Sequence, residues 1–517
     1  MTDSKDFKFL LPWGGAIASG ILMFVGYAGF DQFYLEWFFL LPLLWALRGQ
    51  RPKRAFLLGW LAGIVGHGGG FYWIIQMFQQ FAGAPWIAGV FGLLLLAAAN
   101  GIVLAVWAWG TTLVTRDRQW QVLWAAPVIW TAMEKLWPEV FPNYLGASQY
   151  RISHLTQIAD FAGILGVSFL VIYINATLYW ATVCWREQRT MAWRAIAALA
   201  VTLLLVTGYG ELRIREVERK VASAQRLTVG LVQTNRGAAD NHLAVDLMQK
   251  EHRDLSRELV AVQKPDLVVW PEGVLSVSLA SREGSLPTWA LGDLQTPLLF
   301  GACLQIKEEG ETHFCNSALL ADGSGRILGS YDKTVLVPFG EYIPFGDIFP
   351  QLYAWSPYSA KFFSGRSTQP LKLGSHLLSV SICYEDIFPT HIRKLMRGGG
   401  EGRKADVMFN LTNDSWYGNS VEPMEHLALA SFRSIENRRS LVRVTNTGIS
   451  AFVDPVGRIV SRTGVWTREV LVDRVPLLDG GTLYGAAGDW IGWLCAAISL
   501  FVIARSTLSK KARAQFD

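Results

Sequence analysis

Long apolar runs at both ends of the chain, separated by a charged middle, limit what this sequence can fold into. Residues 9–210 consist mostly of such runs, residues 211–480 have the charge density of a soluble domain, and residues 483–505 are apolar again. Only 17% of the 517 residues are charged, whereas roughly a quarter are charged in soluble proteins. The pattern predicts a membrane protein with a water-soluble domain inserted before its last membrane helix.

Eight apolar runs are candidates for membrane helices, each of which needs roughly 20 apolar residues. They cover residues 9–29, 33–47, 55–79, 87–115, 119–137, 157–185, 192–210 and 483–505. The first run is too long for a signal peptide, and no small-residue cleavage pattern follows it. The second run is short and contains Glu36 and Pro42. We predict a bundle of eight helices, with seven in residues 1–210, a soluble domain in 211–480, and the last helix and a basic tail in 481–517.

The loops between these runs alternate in charge. Basic residues lie near the ends of the second, fourth, sixth and eighth runs: Arg48, Arg51, Lys53, Arg54, Arg116, Arg118, Arg186, Arg189, Arg194, Arg505, Lys510, Lys511 and Arg513. The loops after the first and third runs contain no Lys or Arg. Because cytoplasmic loops collect Lys and Arg, both termini are predicted in the cytoplasm and residues 211–480 outside it. The alternation requires the short second run, and it explains much of the net charge of +5 without nucleic-acid binding.

Several polar groups fall within the apolar runs, namely His67, Asn100, Asp160, Asn175 and Asp489. Such groups usually face the interior of a bundle, where they hydrogen-bond between helices. The glycine-rich stretch 66–70 leaves a thin helix face. That face suits either close helix packing or a groove for a lipid chain.

The middle domain alternates between strand-like and helix-like segments. Strands are predicted at 227–232, 267–270, 298–301, 317–320, 377–383, 407–411, 441–445 and 449–453, helices at 242–263 and 423–437, and hairpin turns at 321–323 and 454–457. This alternation favours an α/β layered domain. The aromatic segment 343–363 has neither period. It is predicted to be a lid at the membrane interface, a zone that Trp and Tyr favour, or else an irregular loop that covers the core.

Three strand-like runs end in side chains with nucleophilic or acid–base chemistry. They are Cys383 after the run 376–382, Glu272 after 266–270 and Lys333 after 326–331. A free thiol is only a few per cent thiolate at neutral pH. A carboxylate to take its proton and an ammonium to stabilise the thiolate and an oxyanion would complete a nucleophilic site. Taken singly, each residue is equally well explained as a buried Cys, a strand-end Glu or a surface Lys.

The remaining cysteines carry no recognisable motif. Cys184 and Cys495 lie in apolar runs and are interpreted as packing residues. Cys303 and Cys315 lie in the middle domain, and their spacing does not decide whether they pair. No metal-binding spacing is present.

The sequence around the three strand ends resembles the nitrilase superfamily. The matching motifs are Trp-Pro-Glu-Gly (270–273), Tyr-Asp-Lys (331–333) with Leu-Val-Pro-Phe-Gly-Glu (336–341), and Ile-Cys-Tyr-Glu (382–385). The whole chain is similar to the bacterial apolipoprotein N-acyltransferase family. That similarity also rests on Pro-Phe-Gly-Glu-Tyr-Ile-Pro (338–344), Asn-Asp-Ser-Trp-Tyr-Gly (413–418), Arg-Val-Thr-Asn-Thr-Gly (443–448) and residues 163–175.

The resemblance implies a nitrilase-type αββα sandwich on a polytopic membrane bundle. It implies Glu272 as general base, Lys333 as oxyanion stabiliser and Cys383 as nucleophile. The supporting roles it implies are Glu341 orienting the lysine, Tyr384 and Glu385 shaping the thiol pocket, and Trp416 on a mobile loop near the substrate entrance.

The resemblance also implies a reaction and a location. An acyl chain moves from a phospholipid, typically phosphatidylethanolamine, through a thioester to the α-amino group of a diacylglyceryl-cysteine lipoprotein, without a metal or cofactor. The expected protein is a monomer in the bacterial inner membrane, with its middle domain in the periplasm.

The chain departs from that family at residues 234–242. Many members continue there with Gly-Asn-Ile-Pro-Gln and a Trp, whereas this chain reads Thr-Asn-Arg-Gly-Ala-Ala-Asp-Asn-His, which leaves its substrate preference open. Two other functions stay open. One is a membrane-tethered nitrilase-type amidase for small soluble amides, which would need neither the helix bundle nor the aromatic segment. The other is a non-enzymatic membrane protein, which would not need the three strand-end residues.

Overall fold

A computed structural model describes residues 3–185, 188–237, 242–278, 284–286, 291–308, 311–355, 361–398 and 403–513. These residues form two compact units. The helical unit comprises Met1–Ile75, Trp86–Ile214 and Ala486–Asp517. The two-sheet unit comprises Gln76–Pro85 and Arg215–Gly485.

The helices follow one another along the chain. They are α1 (Asp3–Gly26), α2 (Leu41–Leu47), α3 (Pro52–Gly70), α4 (Ile74–Ala82), α5 (Trp86–Asn100), α6 (Ile102–Thr115), α7 (Val122–Leu136), α8 (Ser153–Thr156), α9 (Ala159–Ala162), α10 (Ile164–Cys184), α11 (Arg189–Ser223), α12 (His242–Gln263), α13 (Gln351–Trp355), α14 (Pro389–Arg397), α15 (Glu422–Asn437), α16 (Leu483–Ala487) and α17 (Trp490–Arg513).

The apolar runs are interrupted more often than the sequence predicts. The run 55–79 breaks at Phe71 into α3 and α4, whereas α5 and α6 of the run 87–115 join through Gly101 into one apolar helix of 30 residues, Trp86–Thr115. The run 157–185 breaks at Gly163, whose φ of 69° separates α9 from α10. The prediction of one continuous helix is confirmed for the run 87–115 and wrong for the runs 55–79 and 157–185, because average hydropathy does not register a change of backbone direction.

Three helix boundaries also differ from the prediction. The run 33–47 forms a 3-10 turn (Phe33–Trp37) and then α2. Helix α11 continues to Ser223, and α17 begins at Trp490, because Gly488 with φ 68° separates it from α16. The predicted limits 210 and 483 for the last two runs are therefore wrong.

Four helices in the described part of the chain are long and apolar enough to cross a membrane, by length and composition. They are Trp86–Thr115, Ile164–Cys184, Arg189–Ser223 and Trp490–Leu508, and shorter apolar helices cover Leu10–Gly26 and Phe33–Leu47. The chain thus contains several long apolar helices, whereas the count of eight membrane helices stays a prediction.

The prediction of contacts between segments is confirmed for Asn175, Asp160 and Asp489 of the five polar residues in the apolar runs. Asn175 accepts a hydrogen bond from the backbone N–H of Leu40 (3.0 Å) and donates one to the carbonyl of Glu36 (2.7 Å). It thereby satisfies backbone groups where the run 33–47 is not regular helix. Other such contacts join Asp160 to Tyr209 (2.6 Å) and Arg213 (2.7 Å), and Asp489 to Lys135 (2.5 Å).

The glycines of the stretch 66–70 are covered by α1. A Cβ atom added at Gly66 or Gly69 would overlap Met23 or Phe24 of that helix, and one at Gly70 would overlap Tyr27, which follows the helix. The thin helix face therefore serves close helix packing, and the alternative of a lipid groove is wrong for this face.

The two-sheet unit has the α/β layering that the sequence predicts. Its strands are β1 (Arg226–Gln233), β2 (Leu267–Val269), β3 (Leu275–Ser278), β4 (Leu298–Glu308), β5 (Glu311–Ala321), β6 (Ile327–Asp332), β7 (Leu371–Leu373), β8 (His376–Ile382), β9 (Val407–Thr412), β10 (Leu441–Thr445), β11 (Ala451–Val453), β12 (Ile459–Arg462) and β13 (Glu469–Pro476). One sheet has the order β13-β1-β2-β4-β5-β6 with β3 beside β4, and the other has the order β12-β11-β10-β9-β8-β7. Helix α12 contacts β1, and α15 contacts β10.

Parallel strands lie at the centre of both sheets. Strands β1, β2 and β4 are parallel neighbours, as are β8, β9 and β10. The predicted turns at 321–323 and 454–457 join the antiparallel pairs β5–β6 and β11–β12. Strands β3, β7, β12 and β13 were not predicted, because they are short or alternate between exposed and half-buried residues without an apolar run.

Side chains of the aromatic segment 343–363 are strongly exposed. Phe345 is 72% exposed, Ile348 68% and Phe349 56%. Within the described part of the segment the only regular element is α13, and Tyr358 lies outside the described residues. Such exposure is typical of a surface that meets a partner or a membrane and argues against a loop that merely covers the core.

Close packing of α3 makes Gly63 sensitive to any side chain. A Cβ atom at Gly63 would lie 2.5 Å from Cα of Gly101, whereas one at Gly14 in α1 meets nothing within 4 Å. Alanine is intrinsically better than glycine in a helix by about 1 kcal/mol, but overpacking costs about 1–3 kcal/mol. We expect Gly63→Ala to lower the Tm in detergent, followed by tryptophan fluorescence, and Gly14→Ala to leave it unchanged or higher. Equal stability of the two variants would contradict the packing described for α3.

Candidate active site

The three strand-end residues Glu272, Lys333 and Cys383 lie together in the two-sheet unit. Nζ of Lys333 is 3.6 Å from Oε1 of Glu272. The Cys383 thiol hydrogen-bonds toward the Glu272 carboxyl. All three are almost fully buried, with exposures of 9%, 1% and 4%. The structure therefore brings a thiol, a carboxyl and an ammonium into one nearly dry site.

Sheet topology places these side chains at neighbouring strand ends. Glu272 follows β2 and Cys383 follows β8, and each of these strands has parallel neighbours. Lys333 follows β6, and its backbone N–H donates to the carbonyl of Asn316 in β5 (2.8 Å). The carboxyl ends of parallel strands form the usual location of a binding site in α/β folds.

Glu341 and Asn316 fix the position of the lysine. Nζ of Lys333 donates to Oε1 of Glu341 (2.9 Å), and the other oxygen of Glu341 accepts from the N–H of Val337 (2.8 Å). The amide of Asn316 donates to both Glu272 (2.6 Å) and Glu341 (2.7 Å). Asn316 was missed by the sequence analysis, because it lies inside β5 and belongs to none of the quoted motifs.

The second oxygen of Glu272 is open toward the thiol. Oε2 is buried and makes no hydrogen bond of ordinary geometry with any described residue. Burial raises the pKa of Glu272. The positive charge of Lys333 acts to lower this pKa, and the negative charge of Glu341 acts to raise it. A buried carboxyl with one free oxygen is well suited to accept a proton.

The environment of Cys383 raises the pKa of its thiol. Burial raises its pKa well above the ordinary value, the charge of Glu272 raises it further, and Lys333 lowers it. Burial disfavours the Lys333 ammonium, but Glu341 and Glu272 outweigh that effect and raise its pKa. The pKa of the Lys333 ammonium and that of the Cys383 thiol are thus both raised.

The backbone at Cys383 is held in an unusual conformation. Its φ is 51°, a left-handed value that costs a non-glycine residue about 1–3 kcal/mol. The carbonyl of Cys383 accepts from the amide of Asn410 (3.0 Å), and the N–H of Ile382 donates to Glu385 (2.8 Å). These hydrogen bonds hold Cys383 as the first residue of a 3-10 turn (Cys383–Ile387). Strand β8 ends at Ile382, so the prediction that the strand includes Cys383 is wrong by one residue.

Glu385 is fully buried and joins two strand ends. Its carboxylate accepts from the N–H groups of Thr334 (2.7 Å) and Val335 (3.0 Å), from the hydroxyl of Tyr331 (2.8 Å) and from Ile382. Burial alone would raise its pKa, but His391 and the backbone donors outweigh burial and lower it. Glu385 therefore positions the segment after Lys333 against the strand that ends before Cys383.

Tyr384 and Trp416 lie on segments next to the thiol. Tyr384 is 4% exposed, and its ring packs edge-on against Phe388 with centroids 4.8 Å apart. Trp416 is half-buried in a 3-10 turn (Ser415–Tyr417). The amide of Gln80 in α4, oriented to satisfy its hydrogen bonds, donates to the carbonyls of Ser415 (2.7 Å) and Trp416 (3.3 Å).

A second buried ionic cluster lies behind Cys383, and the sequence analysis missed it. The guanidinium of Arg443 contacts Asp386 (2.8 Å), Asp414 (3.1 Å) and the amide oxygen of Asn410 (2.8 Å), and His426 contacts Asp386 (2.7 Å). Arg443 thereby orients Asn410, which holds the Cys383 carbonyl. Asp414 and Arg443 belong to the motifs quoted above, which is the one signal that pointed to this cluster.

The acidic members of that cluster do not suit a metal ion. Ligand atoms of Asp414, Glu422 and His426 lie within 4.8 Å of one another. Burial and Arg443 lower the pKa of His426, but Asp386 and Asp414 outweigh them and raise it to about 10. A protonated His426 and the Arg443 guanidinium already supply the positive charge that a metal would bring.

The atypical loop begins beside the site. The N–H of Asn235 donates to the carbonyl of Asn446 (3.1 Å), whose amide donates to the carbonyl of Glu272 (3.0 Å). A Cβ atom at Gly237 would lie 3.3 Å from Cβ of Ser415. Residues 238–241 of the loop lie outside the described residues. Its described part is therefore linked to the Glu272 backbone through Asn446 and adjoins the turn that carries Trp416.

The five cysteines are free thiols. Cys303 pairs across the strands with Asn316, and Cys315 with Leu304. Consecutive residues of a strand point to opposite faces, so the two thiols lie on different faces of the sheet and do not form a disulfide.

Comparison with known proteins gives matches over both units. The family model for the apolipoprotein N-acyltransferase N-terminal domain matches residues 19–177, and the model for carbon-nitrogen hydrolase matches residues 228–482. The second match identifies the two-sheet unit as a nitrilase-type α/β domain.

Two relatives match the chain over nearly its full length. The apolipoprotein N-acyltransferase of Geobacter metallireducens is 31% identical over 504 residues, which cover 95% of this chain and 94% of the relative. The apolipoprotein N-acyltransferase of Bdellovibrio bacteriovorus is 30% identical over 539 residues, which cover 96% of this chain and 94% of the relative. Among solved structures, Nit3 of Saccharomyces cerevisiae, a member of branch 10 of the nitrilase superfamily, is 17% identical with a TM-score of 0.37, covering 49% of this chain and 90% of that chain. That score is too low to support an argument.

Opposite charge changes beside the thiol should shift its reactivity in opposite directions. The charge of Glu272 raises the pKa of Cys383 and that of Lys333 lowers it. At pH 9 we expect Glu272→Gln to speed alkylation of Cys383 by iodoacetamide and Lys333→Met to slow it, by about tenfold for each unit of pKa change. Mass spectrometry of the Cys383 peptide measures the rate, and Cys383→Ala gives the background. A shift of both variants in the same direction would contradict the arrangement of charges.

Proposed function

The chain belongs to the apolipoprotein N-acyltransferase family, and we propose that it performs this transfer through a thioester on Cys383. The observation that carries the proposal is the buried thiol with a free carboxyl oxygen of Glu272 on one side and the Lys333 ammonium nearby. The donor is a lipid and the acceptor is a lipoprotein. Phosphatidylethanolamine as the donor and a diacylglyceryl-cysteine as the acceptor are the finer parts of the proposal.

The first half of the reaction loads the enzyme. Oε2 of Glu272 takes the thiol proton as Sγ of Cys383 attacks the ester carbonyl carbon of the lipid. The carbonyl oxygen becomes an oxyanion, which the Lys333 ammonium stabilises. The carbon–oxygen bond then breaks, the lysophospholipid oxygen takes the proton from Glu272, and the acyl chain remains on sulfur.

The second half transfers the chain to nitrogen. The α-amino group of the lipoprotein attacks the thioester carbon and gives a proton to Glu272, again through an oxyanion beside Lys333. The carbon–sulfur bond breaks, the thiolate recovers the proton, and an amide is released. Because the site is buried, water is kept from a thioester that it would otherwise hydrolyse.

The remaining site residues act through these three. Glu341 and Asn316 hold the lysine, and Glu385 joins the strand ends that carry Lys333 and Cys383. Tyr384 and the turn that carries Trp416 shape the approach to the thiol. Of these, Glu385 is a positioning residue, because its described contacts are with backbone groups, Tyr331, Thr334 and His391.

A lipid substrate requires that the thiol be reached from the membrane. Moving an acyl chain into water costs about 0.8 kcal/mol per methylene, so a whole chain cannot pass through solvent. We propose that the exposed aromatic segment around Phe345 and Phe349 is the lid under which the chain enters. The proposed arrangement is a monomer with eight membrane helices in the bacterial inner membrane, residues 211–480 in the periplasm and both termini in the cytoplasm.

The thioester is the direct test of the mechanism. After incubation with labelled phosphatidylethanolamine, the Cys383 peptide should gain the mass of one acyl chain, and addition of a diacylglyceryl lipopeptide should remove it. Glu272→Gln should slow loading by about 10²–10⁴-fold, the usual contribution of a general base. Cys383→Ala is the control, because it keeps the fold without the nucleophile.

The same experiment separates the competing functions. Release of ammonia from small amides without acylation of Cys383 would favour the amidase. Unchanged lipoprotein processing in cells that carry only Cys383→Ala would show that the thiol is not the catalyst and would favour a non-enzymatic role.

Orientation is tested by reporter fusions. An enzyme reporter that works only outside the cytoplasm should be active when fused at about residue 330, because cytoplasmic loops collect basic residues. A matched fusion after Gln50, in the first basic loop, should be inactive. The reverse pattern would place the two-sheet unit in the cytoplasm and overturn the proposed topology.

A further inference from the structure

Two short stretches after β1 and β10 carry buried side-chain oxygens without partners. Thr234 and Asn235 follow β1, and Asn446 and Thr447 follow β10. The hydroxyl oxygens of both threonines and the Oδ1 atoms of both asparagines are buried, and they make no hydrogen bond within the part of the chain that the structure describes. Because a buried polar atom that lacks a partner is costly, four such atoms in two pairs of residues indicate a site for a ligand.

The residue just before the first stretch is fully paired. Oε1 of Gln233 accepts hydrogen bonds from the hydroxyls of Ser450 (2.7 Å), Thr463 (2.9 Å) and Thr445 (3.0 Å), and its Nε2 donates to two backbone carbonyls (3.0 Å each). Polar groups between the ends of β1 and β10 are therefore matched with care up to Gln233 and Thr445. The oxygens without partners begin only one residue later in each stretch.

The two asparagines lie side by side, next to the proposed base. The backbone N–H of Asn235 donates to the carbonyl of Asn446 (3.1 Å), and Nδ2 of Asn446 donates to the carbonyl of Glu272 (3.0 Å). Asn446 is 2% exposed. Its nitrogen fixes the orientation of the amide, which leaves Oδ1 as an acceptor within one side chain of the Glu272 backbone.

Asn235 is held in a strained conformation. Its φ is 61°, in the left-handed region that Asn tolerates better than most residues. Nothing that the described residues offer to its Oδ1 compensates for this strain. Strained residues persist where their surroundings hold them, and they cluster at ligand sites. The conformation and the buried oxygen are thus two independent signs of a ligand.

The type of oxygen decides the chemistry of the ligand. A threonine hydroxyl can donate or accept, but the oxygen of a carboxamide can only accept. The ligand must therefore bring hydrogen-bond donors, which ester and phosphate oxygens cannot supply. A primary amine has two N–H groups when neutral and three when charged. Two such amines take part in the proposed reaction, the α-amino group of the lipoprotein and the ethanolamine group of the phospholipid.

We propose that Oδ1 of Asn235 and Oδ1 of Asn446 bind a primary amine, the α-amino group of the acceptor. The ethanolamine group has the same chemistry. The acceptor is favoured because its nitrogen must give a proton to Glu272, and Asn446 is bonded directly to the Glu272 backbone. This inference rests on the proposed function and names residues that select its acceptor. It gives the atypical loop, which begins at these residues, a role in the second half of the reaction.

Separate measurement of the two half-reactions tests the inference on the full chain in detergent. Cys383 is loaded from labelled phosphatidylethanolamine or phosphatidylglycerol, and the acyl-enzyme is then mixed with increasing concentrations of a diacylglyceryl-cysteine peptide. The mass of the Cys383 peptide follows both steps. Asn235→Gly is the test variant, because glycine adopts a φ of 61° without strain and the backbone N–H is kept. Asn446→Ala is less suitable, because it would also release the carbonyl of Glu272.

The variant should affect transfer more than loading. We expect Asn235→Gly to raise the lipopeptide concentration for half-maximal transfer about tenfold, the loss of one hydrogen bond to an amine, with a smaller change in the phospholipid concentration for half-maximal loading. Asn235→Asp keeps an acceptor oxygen and should restore transfer. Lys264→Gly is the matched control, since Lys264 is exposed and has a φ of 47°.

A modified lipopeptide shows whether the amine itself is bound. The analogue carries hydrogen in place of the α-amino group, and it should inhibit the unaltered chain and Asn235→Gly equally. Weaker inhibition of the variant by this analogue would overturn the inference, as would equal half-maximal transfer in both chains or a change in Tm alone. A change confined to loading from phosphatidylethanolamine would support the amine site and assign it to the head group. Absence of loading in the unaltered chain would overturn the proposed function, and the inference with it.

Discussion

The buried ammonium of Lys333 is the charge on which the centre of the two-sheet unit depends. A buried charge is costly unless it is paired and hydrogen-bonded, and here Glu341 and Glu272 provide the pairing. Two carboxyls around one ammonium would repel each other, and the amide of Asn316 lies between them and donates to both. The ends of β2 and β6 and the middle of β5 must therefore meet at fixed positions.

A second set of charges gives the thiol its position rather than its proton. Arg443 holds Asn410, and Asn410 holds the carbonyl of Cys383 in its left-handed conformation. The Asp414 carboxylate of this cluster also acts to raise the pKa of the thiol. The Cys383 thiol thus lies between two buried ionic clusters, one of which contains Glu272 and Lys333 and the other of which supports the turn. This division explains how a strained residue can be held in place without blocking its side chain.

The sequence predicts those parts of the molecule whose signals are local. Helices α12 and α15 were predicted within one residue, because their apolar spacing is regular, and Glu272, Lys333 and Cys383 were found because each directly follows an apolar strand. The roles of Asn316 and Arg443 were not predicted, because these residues act through partners that lie far away in the chain, such as Glu272 and Asp386. The break between α3 and α4 at Phe71 was not predicted, because the residues on both sides of it are apolar. Strand β13 was not predicted, because its own sequence has no strand-like pattern and its extended conformation depends on pairing with β1.

Helix α4 shows that the two-sheet unit is not one continuous stretch of chain. Residues Gln76–Pro85 belong to it, and Gln80 holds the carbonyls of the turn that carries Trp416. During synthesis this segment leaves the ribosome long before the turn that it contacts. Because the rest of the two-sheet unit extends to Gly485, the unit is complete only when most of the chain has been made. A fragment that starts at Arg215 would lack this part, and the turn beside the thiol would lose the hydrogen bonds that Gln80 donates to it.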